Sequence, residues 1–333
     1  MAIAGVVLSV TAAAAPAYAC GCGALAPATG TVAEVTSESA IISHKDGVET
    51  ILLSLGVDSV IANAGLIVPT PTAATITAGD DAVFDALNEQ TTPRERIVDD
   101  WWGNKVNPGA ADTAPTVVST VSVGALEATT LAATDTAGLS AWLTQNGYEV
   151  PAETAAQLQH YIDKKWQFVA VKLSTGADDG ELLDGTLAPI QISFPTTALI
   201  YPLAMAKAAT TEQSIRLNVF ADFRVDVVRD GTADEPLDAA VRTVWAGPVT
   251  EPTLADLGPY LTVVDLRFDV PATQISSEVG VVRAANDDVV DPAAVVVRPI
   301  ELLGFPLGTL LAVWAGLGIV GLLVVTIARS RLR

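Results

Sequence analysis

The clearest periodic signal in the chain runs from Ile215 to Val227. Apolar residues hold Ile215, Leu217, Val219, Ala221, Phe223, Val225 and Val227, while Arg216, Asn218, Asp222, Arg224 and Asp226 lie between them. Alternation of period two over that length predicts one long strand with a buried and a wet face, of the kind found in antiparallel sheets. Thr31 to Ser43 and Val48 to Leu55 alternate more weakly but are rich in Val, Ile and Thr. They flank His44-Lys45-Asp46-Gly47, which predicts a β-hairpin. Gly65 to Pro71 reads as a short buried strand whose prolines, lacking amide donors, belong at a sheet edge or in a loop. Further strands are predicted at Pro115–Val123, Gln167–Ser174, Pro189–Phe194, Ala198–Leu203, Val241–Trp245, Leu261–Val270 and Val279–Arg283.

Helical spacing occurs in three places. Gly79-Asp80-Asp81 offers N-caps before Val83, Phe84 and Leu87, and Thr91-Thr92-Pro93 closes that helix. Leu139, Trp142 and Leu143 mark a second helix that Gly147 stops. Pro151 opens a third, where Ala155, Leu158 and Ile162 share a face, so the two form a helical hairpin. Residues 104–137 turn to Ala, Thr, Ser, Val, Pro and Gly and read as a low-complexity insert.

The two ends are patterned differently. Residues 1–19 carry no charge and end in Ala17-Tyr18-Ala19, small residues at the positions a signal peptidase accepts, so cleavage before Cys20 is expected although a basic start is missing. Residues 307–328 form 22 uncharged positions, about 33 Å as a helix, followed by Arg329, Arg331 and Arg333. This predicts a single-pass type I protein of the cell membrane, with a cytoplasmic tail at 329–333, a stalk at 284–306 and a folded region at 20–283 outside the cytoplasm. Gly308, Ala312 and Gly316 place small side chains on one stripe of the terminal helix, a route to a homodimer.

Composition adds the sign of the surface. The segment from Cys20 to Glu301 holds all 38 acids but 15 of the 18 bases, a net charge of −23. That repels a nucleic-acid backbone and favours divalent cations or basic partners. Two cysteines and two histidines exclude a disulfide-dense scaffold and a zinc finger. Cys20 and Cys22, beside the expected new N-terminus, can close a small disulfide ring, bind a soft ion such as Cu+, or bridge to another chain, and outside the cell an oxidised pair is the default. Asp178, Asp179, Glu181 and Asp184 bring hard oxygen ligands together as Ca2+ requires, as do Asn286, Asp287, Asp288 and Asp291, though neither follows EF-hand spacing. His44 and His160 are isolated, and no Gly-x-Ser-x-Gly, His-Glu-x-x-His or phosphate loop occurs.

The order of several blocks resembles a bacterial family, domain-of-unknown-function family 2330. They are Cys20-Gly21-Cys22-Gly23, Gly65-Leu66-Ile67-Val68-Pro69-Thr70-Pro71, Phe84-Asp85-Ala86-Leu87, Trp142-Leu143 through Val150-Pro151, Phe168 to Leu173, Pro189-Ile190 and Tyr201-Pro202-Leu203. The resemblance implies an exported or membrane-anchored envelope protein and carries over no catalytic residue; the Ala/Thr-rich composition looks actinobacterial. The expected fold class is α+β, a strand-rich antiparallel ectodomain with a helical hairpin plus one C-terminal transmembrane helix. The expected function is an extracytoplasmic binding or structural protein of the envelope, engaging an envelope protein or ligand without a cofactor. A thiol-redox or copper-handling protein built on Cys20 and Cys22, or an enzyme using carboxylates alone, is the alternative.

Overall fold

The computed structural model describes residues 21–27, 33–59, 63–102, 120–121, 127–131, 136–148, 152–174, 185–230 and 235–331. The segment expected to be a signal peptide, Cys20, most of the insert and the acidic stretch 178–184 lie outside the described residues. Along the chain the elements are β1 (Ala24–Pro27), β2 (Ala33–Lys45), β3 (Val48–Ser59), β4 (Asn63–Thr70), β5 (Thr75–Ala78), α1 (Asp81–Thr91), β6 (Glu95–Asp100), β7 (Thr120–Val121), β8 (Glu127–Leu131), α2 (Thr136–Gln145), α3 (Ala152–Asp163) and β9 (Gln167–Ser174). They continue with β10 (Gly185–Leu187), β11 (Ile190–Pro195), β12 (Ile200–Tyr201), β13 (Gln213–Ala221), β14 (Val225–Arg229), β15 (Ala240–Pro248), β16 (Tyr260–Phe268), α4 (Pro271–Gln274), β17 (Val279–Arg283), β18 (Ala294–Pro299), β19 (Glu301–Leu302), β20 (Phe305–Pro306) and α5 (Leu307–Arg331). The chain divides into two compact units, residues 1–91 with 117–290 and residues 92–116 with 291–333.

In the first unit, β2 and β3 form the expected hairpin. Asp46 at φ 55° and Gly47 at φ 77° make the two central residues of a primed turn, whose twist suits paired strands. This hairpin lies at the heart of a large mixed sheet with the path β15-β16-β13-β2-β3-β10-β7, to which β11 and β5 add through β3. A four-stranded antiparallel sheet, β1-β4-β9-β8, faces it. Between them Leu66, Val68, Val169, Val171 and Leu173 pack with Ile42, Ile51, Leu53, Ile192, Leu217 and Phe268 as the main core.

Each sheet is covered by helices on its far side, and the local sequence explains where they sit. Asp80 caps α1 by accepting the Ala82 amide at 2.9 Å, and Ala86 and Leu87 then pack on Ile41, Leu52 and Trp245 of the large sheet. α2 ends where Gly147 takes φ 84°, with the Tyr148 amide returning to the Leu143 carbonyl at 3.0 Å. α2 and α3 form the expected helical hairpin, and Leu139, Leu143, Leu158 and Tyr161 cover Ala24, Ile67 and Phe168 of the small sheet. β4 and β9 are therefore buried on both faces, which is why Phe168 to Leu173 carries a nearly unbroken apolar run. Pro69 lies not at an edge or in a loop but within this central strand, opposite Phe168 of β9 and beyond Ile67, where β1 stops pairing.

Three expectations are corrected. The alternating run 215–227 is not one strand: it breaks at residues 222–224, with β13 pairing β2 and β16 while β14 leaves to pair β17 in a separate three-stranded sheet, β12-β17-β14. Alternation records which phase is buried and not which sheet buries it. The sheets are not purely antiparallel, since β13 runs parallel to β2 and β10 parallel to β7. Finally, among the described residues no helix is long and apolar enough to cross a membrane, so the expected transmembrane helix leaves the fold class. α5 does begin at Leu307 and runs to Arg331.

The second unit contains the parallel pair β6–β18 and the hairpin β19–β20, which turns at Leu303 (φ 55°) and Gly304 (φ 80°). The stretch read as a stalk thus contains a paired strand. The amide of Gly308 donates to the Trp101 carbonyl at 2.6 Å, and a Cβ at Gly308 would lie 2.9 Å from the Trp102 ring. One member of the small-residue stripe is therefore filled from within its own unit, whereas Gly316 has open space around it.

Candidate functional site

The first unit carries a cleft of about 460 Å³ at the end of the large sheet. Its floor is apolar, with Leu199, Phe220, Leu257 and Val281, and its rim carries Lys45, Asp222, Asp256 and Arg283. Four local features shape it. The β2–β3 turn brings His44 and Lys45 to one side; the break after β13 places Asp222 and Phe223; Gly258, at φ 157°, lets the loop before β16 close on Phe220; and β17 ends at Arg283. Arg283 is held over the Phe223 ring at 4.6 Å and by Asp287 at 3.3 Å. An apolar floor with charges of both signs at its edge suits binding by burial, with the rim setting orientation.

Residues 197–199 form one wall of the cleft, within the segment 196–200. It is tied to the hairpin by the Thr196 amide to the Gly47 carbonyl at 3.0 Å, by His44 Nε2 at 2.9 Å from the Thr196 carbonyl, and by the Ile200 amide to Glu49 Oε2 at 3.0 Å. Glu49 is fully buried, and its other oxygen, Oε1, has no hydrogen-bond partner. Burial outweighs the single amide and pushes its pKa up to about 8. Glu49 is a neutral acid at physiological pH.

Two further buried carboxylates hold the fold around the cleft. Glu278 Oε2 accepts the Tyr161 hydroxyl at 2.8 Å and the amides of Leu203 and Ala204 at 2.8 and 3.0 Å, while Oε1 lies 3.1 Å from Lys164 Nζ and 3.2 Å from His160 Nε2. Burial alone would raise its pKa, but the bonds from His160, Ala204 and Leu203 and the charge of Lys164 hold it down at about 2. Glu38 accepts the amides of Gly21 at 2.6 Å and Cys22 at 3.0 Å together with the Tyr201 hydroxyl, and here burial prevails and raises the pKa.

These contacts give the Cys-Gly-Cys-Gly block a packing role. Cys22 is fully buried with its side chain bonded to Glu38. A Cβ at Gly21 would lie 2.5 Å from Ile215 and 2.7 Å from Glu38, and one at Gly23 would run into the Ile67 carbonyl. Gly23→Ala is expected to cost about 2–3 kcal/mol, within the range for overpacking, by pushing β1 off β4; a chemical-denaturation midpoint within error of the parent would contradict it.

The other expected site residues are not gathered. Asp178, Asp179, Glu181, Asp184 and Cys20 lie outside the described residues, so neither the acidic loop nor the Cys20–Cys22 disulfide is visible. Asp287 is spent on the Arg224 amide at 3.0 Å and on Arg283, and Asp291 pairs with Arg94 at 3.2 Å in the second unit. Among the described residues no three His, Cys, Asp or Glu side chains are placed to hold a metal ion. His44 and His160 are both structural, one tying down the cleft wall and the other facing Glu278. Sequence reasoning passed over Glu38, Glu49 and Glu278. A signal existed for the first two: Glu49 shares the inward phase of Ile51, Leu53 and Leu55, and Glu38 that of Ala40 and Ile42.

A family model described as "Uncharacterized protein conserved in bacteria (DUF2330)" matches residues 16–280. No curated protein matches the chain. A crystal structure of baculovirus P35 is similar at a TM-score of 0.36 and 9% identity, over 75% of this chain and 98% of that one, a likeness too slight to carry an argument.

Proposed function

Because the chain belongs to the DUF2330 family of conserved bacterial proteins, we propose that it serves as a non-catalytic binding protein of the envelope, outside the cytoplasm, and takes its ligand in the cleft beside segment 196–200. The observation that carries this reading is the cleft itself: an apolar floor large enough for a small molecule or one or two side chains of a partner, bordered by Lys45, Arg283, Asp222 and Asp256. The three buried carboxylates support it from another direction. Each is turned toward the chain's own amides and hydroxyls, as structural groups are. The apolar residues 1–19 ending in Ala17-Tyr18-Ala19 support a place beyond the cytoplasm. The thiol-redox or copper alternative has less support, because a fully buried Cys22 bonded to Glu38 is poorly placed for exchange.

The test is a titration of the full chain with the neutral apolar fluorophore N-phenyl-1-naphthylamine. Saturable one-to-one binding is expected, and Leu257→Arg, which places a charge on the cleft floor, should weaken it at least tenfold without lowering the melting temperature by more than a few degrees. Binding that does not saturate, or that Leu257→Arg leaves intact, overturns the reading. So does robust turnover on a panel of small-molecule substrates.

A further inference from the structure

The charges at the mouth of the cleft do not all close on one another. Arg283 is committed: its guanidinium lies over Phe223 at 4.6 Å and pairs with Asp287 at 3.3 Å. Lys45, Asp222 and Asp256 line the same cleft and are exposed, and among the described residues none of the three has an ion-pair or hydrogen-bond partner for its side chain. Beside them lies apolar surface, with Phe220 from β13 and Leu257 from the loop before β16.

The fold brings these three charges to one end of the large sheet. β13 runs parallel to β2, and their last pair is Phe220 with Ser43; Asp222 and Lys45, each two residues on, therefore come at the same end of adjacent strands. Neighbouring strands lie about 4.8 Å apart. Gly258, whose Cβ would meet the Ala221 nitrogen at 3.1 Å, holds the loop that carries Asp256 against that same strand end. One cation thus stands near two anions above an apolar floor. The ammonium and carboxylate of an α-amino acid hang from a single carbon, about 2.5 Å apart by standard bond lengths, so side chains from adjacent strand ends can meet both at once.

We propose that the cleft takes a free α-amino acid with a large apolar side chain: its carboxylate meets Lys45, its ammonium meets Asp222 and Asp256, and its side chain covers Phe220 and Leu257. The inference rests on the cleft being the binding site and names the class of molecule that enters it. A ligand with one charge leaves part of the rim unanswered, whereas a zwitterion answers both signs and keeps its own charges paired as they lose water. Because the acids outnumber the free base on the rim, and residues 20–301 carry a net charge of −23, the ammonium contributes more than the carboxylate and a simple anion is disfavoured. The floor supplies affinity through burial, and the rim fixes which end of the molecule points outward.

Four probes that share one ring system test this by calorimetric titration of the full chain at low salt: L-tryptophan, tryptamine with the ammonium alone, indole-3-propionate with the carboxylate alone, and indole with neither. L-Tryptophan is expected to bind about tenfold tighter than indole and to displace N-phenyl-1-naphthylamine, with tryptamine between the two and indole-3-propionate no tighter than indole. Lys45→Met should weaken L-tryptophan about fivefold and leave tryptamine unchanged, whereas Asp222→Asn with Asp256→Asn should weaken both by about fivefold or more and leave indole unchanged. All three positions are exposed, so the melting temperature should hold in each variant. L-Tryptophan binding no tighter than indole, or equally tight in the parent and both variants, overturns the proposal. The fluorophore separates the two failures: if it binds and L-tryptophan does not, the ligand class is wrong and the cleft stands; if neither binds, the cleft reading falls and the proposal with it.

Discussion

Glu278→Ala is expected to lower the melting temperature of the full chain by about 10 °C. The substitution removes the acceptor for five donors at once: the Tyr161 hydroxyl, the Leu203 and Ala204 amides, Lys164 and His160. Leaving buried partners of a charged group unpaired costs about 3–5 kcal/mol, and each kcal/mol moves the melting point of a domain this size by about 2–4 °C. Because Glu278 joins α3, the turn after β12 and the start of β17, the helical hairpin should loosen first. The same carboxylate predicts an acid limb. Its folded pKa of about 2 lies below the ordinary glutamate value of 4.5 that holds in the unfolded chain, so its contribution is present above 4.5 and is lost as pH falls toward 2. That limb amounts to about 3 kcal/mol, at about 1.4 kcal/mol per pH unit. Glu278→Gln, which keeps the shape and removes the charge, should flatten it. A melting point for Glu278→Ala within 2 °C of the parent would show that the hub is not holding the helices.

Glu49 predicts the opposite limb. Its folded pKa of about 8 lies above the ordinary glutamate value of 4.5, so the protonated form belongs to the folded state and stability is lost as pH rises between those values. The loss by pH 9 is about 5 kcal/mol at full burial. Glu49→Gln cannot ionise, and it is expected to be more stable than the parent at pH 9 by several degrees in melting temperature while gaining nothing at pH 4.5. The gain is bounded because the amide leaves a polar atom where Oε1 has no partner. Parallel melting profiles of parent and variant from pH 4.5 to 9 would refute the argument. Since Glu49 holds the Ile200 amide, next to the wall residue Leu199, probe binding in the cleft should weaken over the same alkaline range in the parent and stay level in Glu49→Gln.

Much of the local structure was readable from residue order. The hairpin at Asp46-Gly47, the cap at Asp80, the stop at Gly147 and the strand Gln167–Ser174 each depend on a few neighbouring residues, and each formed where the pattern placed it. The family was readable for the same reason: its blocks are short, ordered and local. What failed needed information from distant parts of the chain. The run 215–227 carries one uniform phase, yet β13 and β14 enter different sheets, because Asp222-Phe223-Arg224 redirects the backbone toward β17, about sixty residues later in sequence. The apolar stretch from Leu307 forms a helix, and among the described residues no helix is long and apolar enough to cross a membrane.

The chemistry of the site divides along the same line. By itself the sequence determined the acidic balance, the scarcity of cysteine and histidine, the elements with strong caps and turns, and the Cys-Gly-Cys-Gly block as a feature of interest. Only the tertiary structure decided that this block is a packing motif gripped by Glu38, that Glu49 is a hidden neutral acid and that Glu278 is a charged hub. The reason is physical. A carboxylate's state is set by the solvent it loses and the donors it gains, and the donors to Glu278 come from positions 160 to 204, far from it in sequence. Periodicity can show that a glutamate points inward; only the packed structure shows what meets it there.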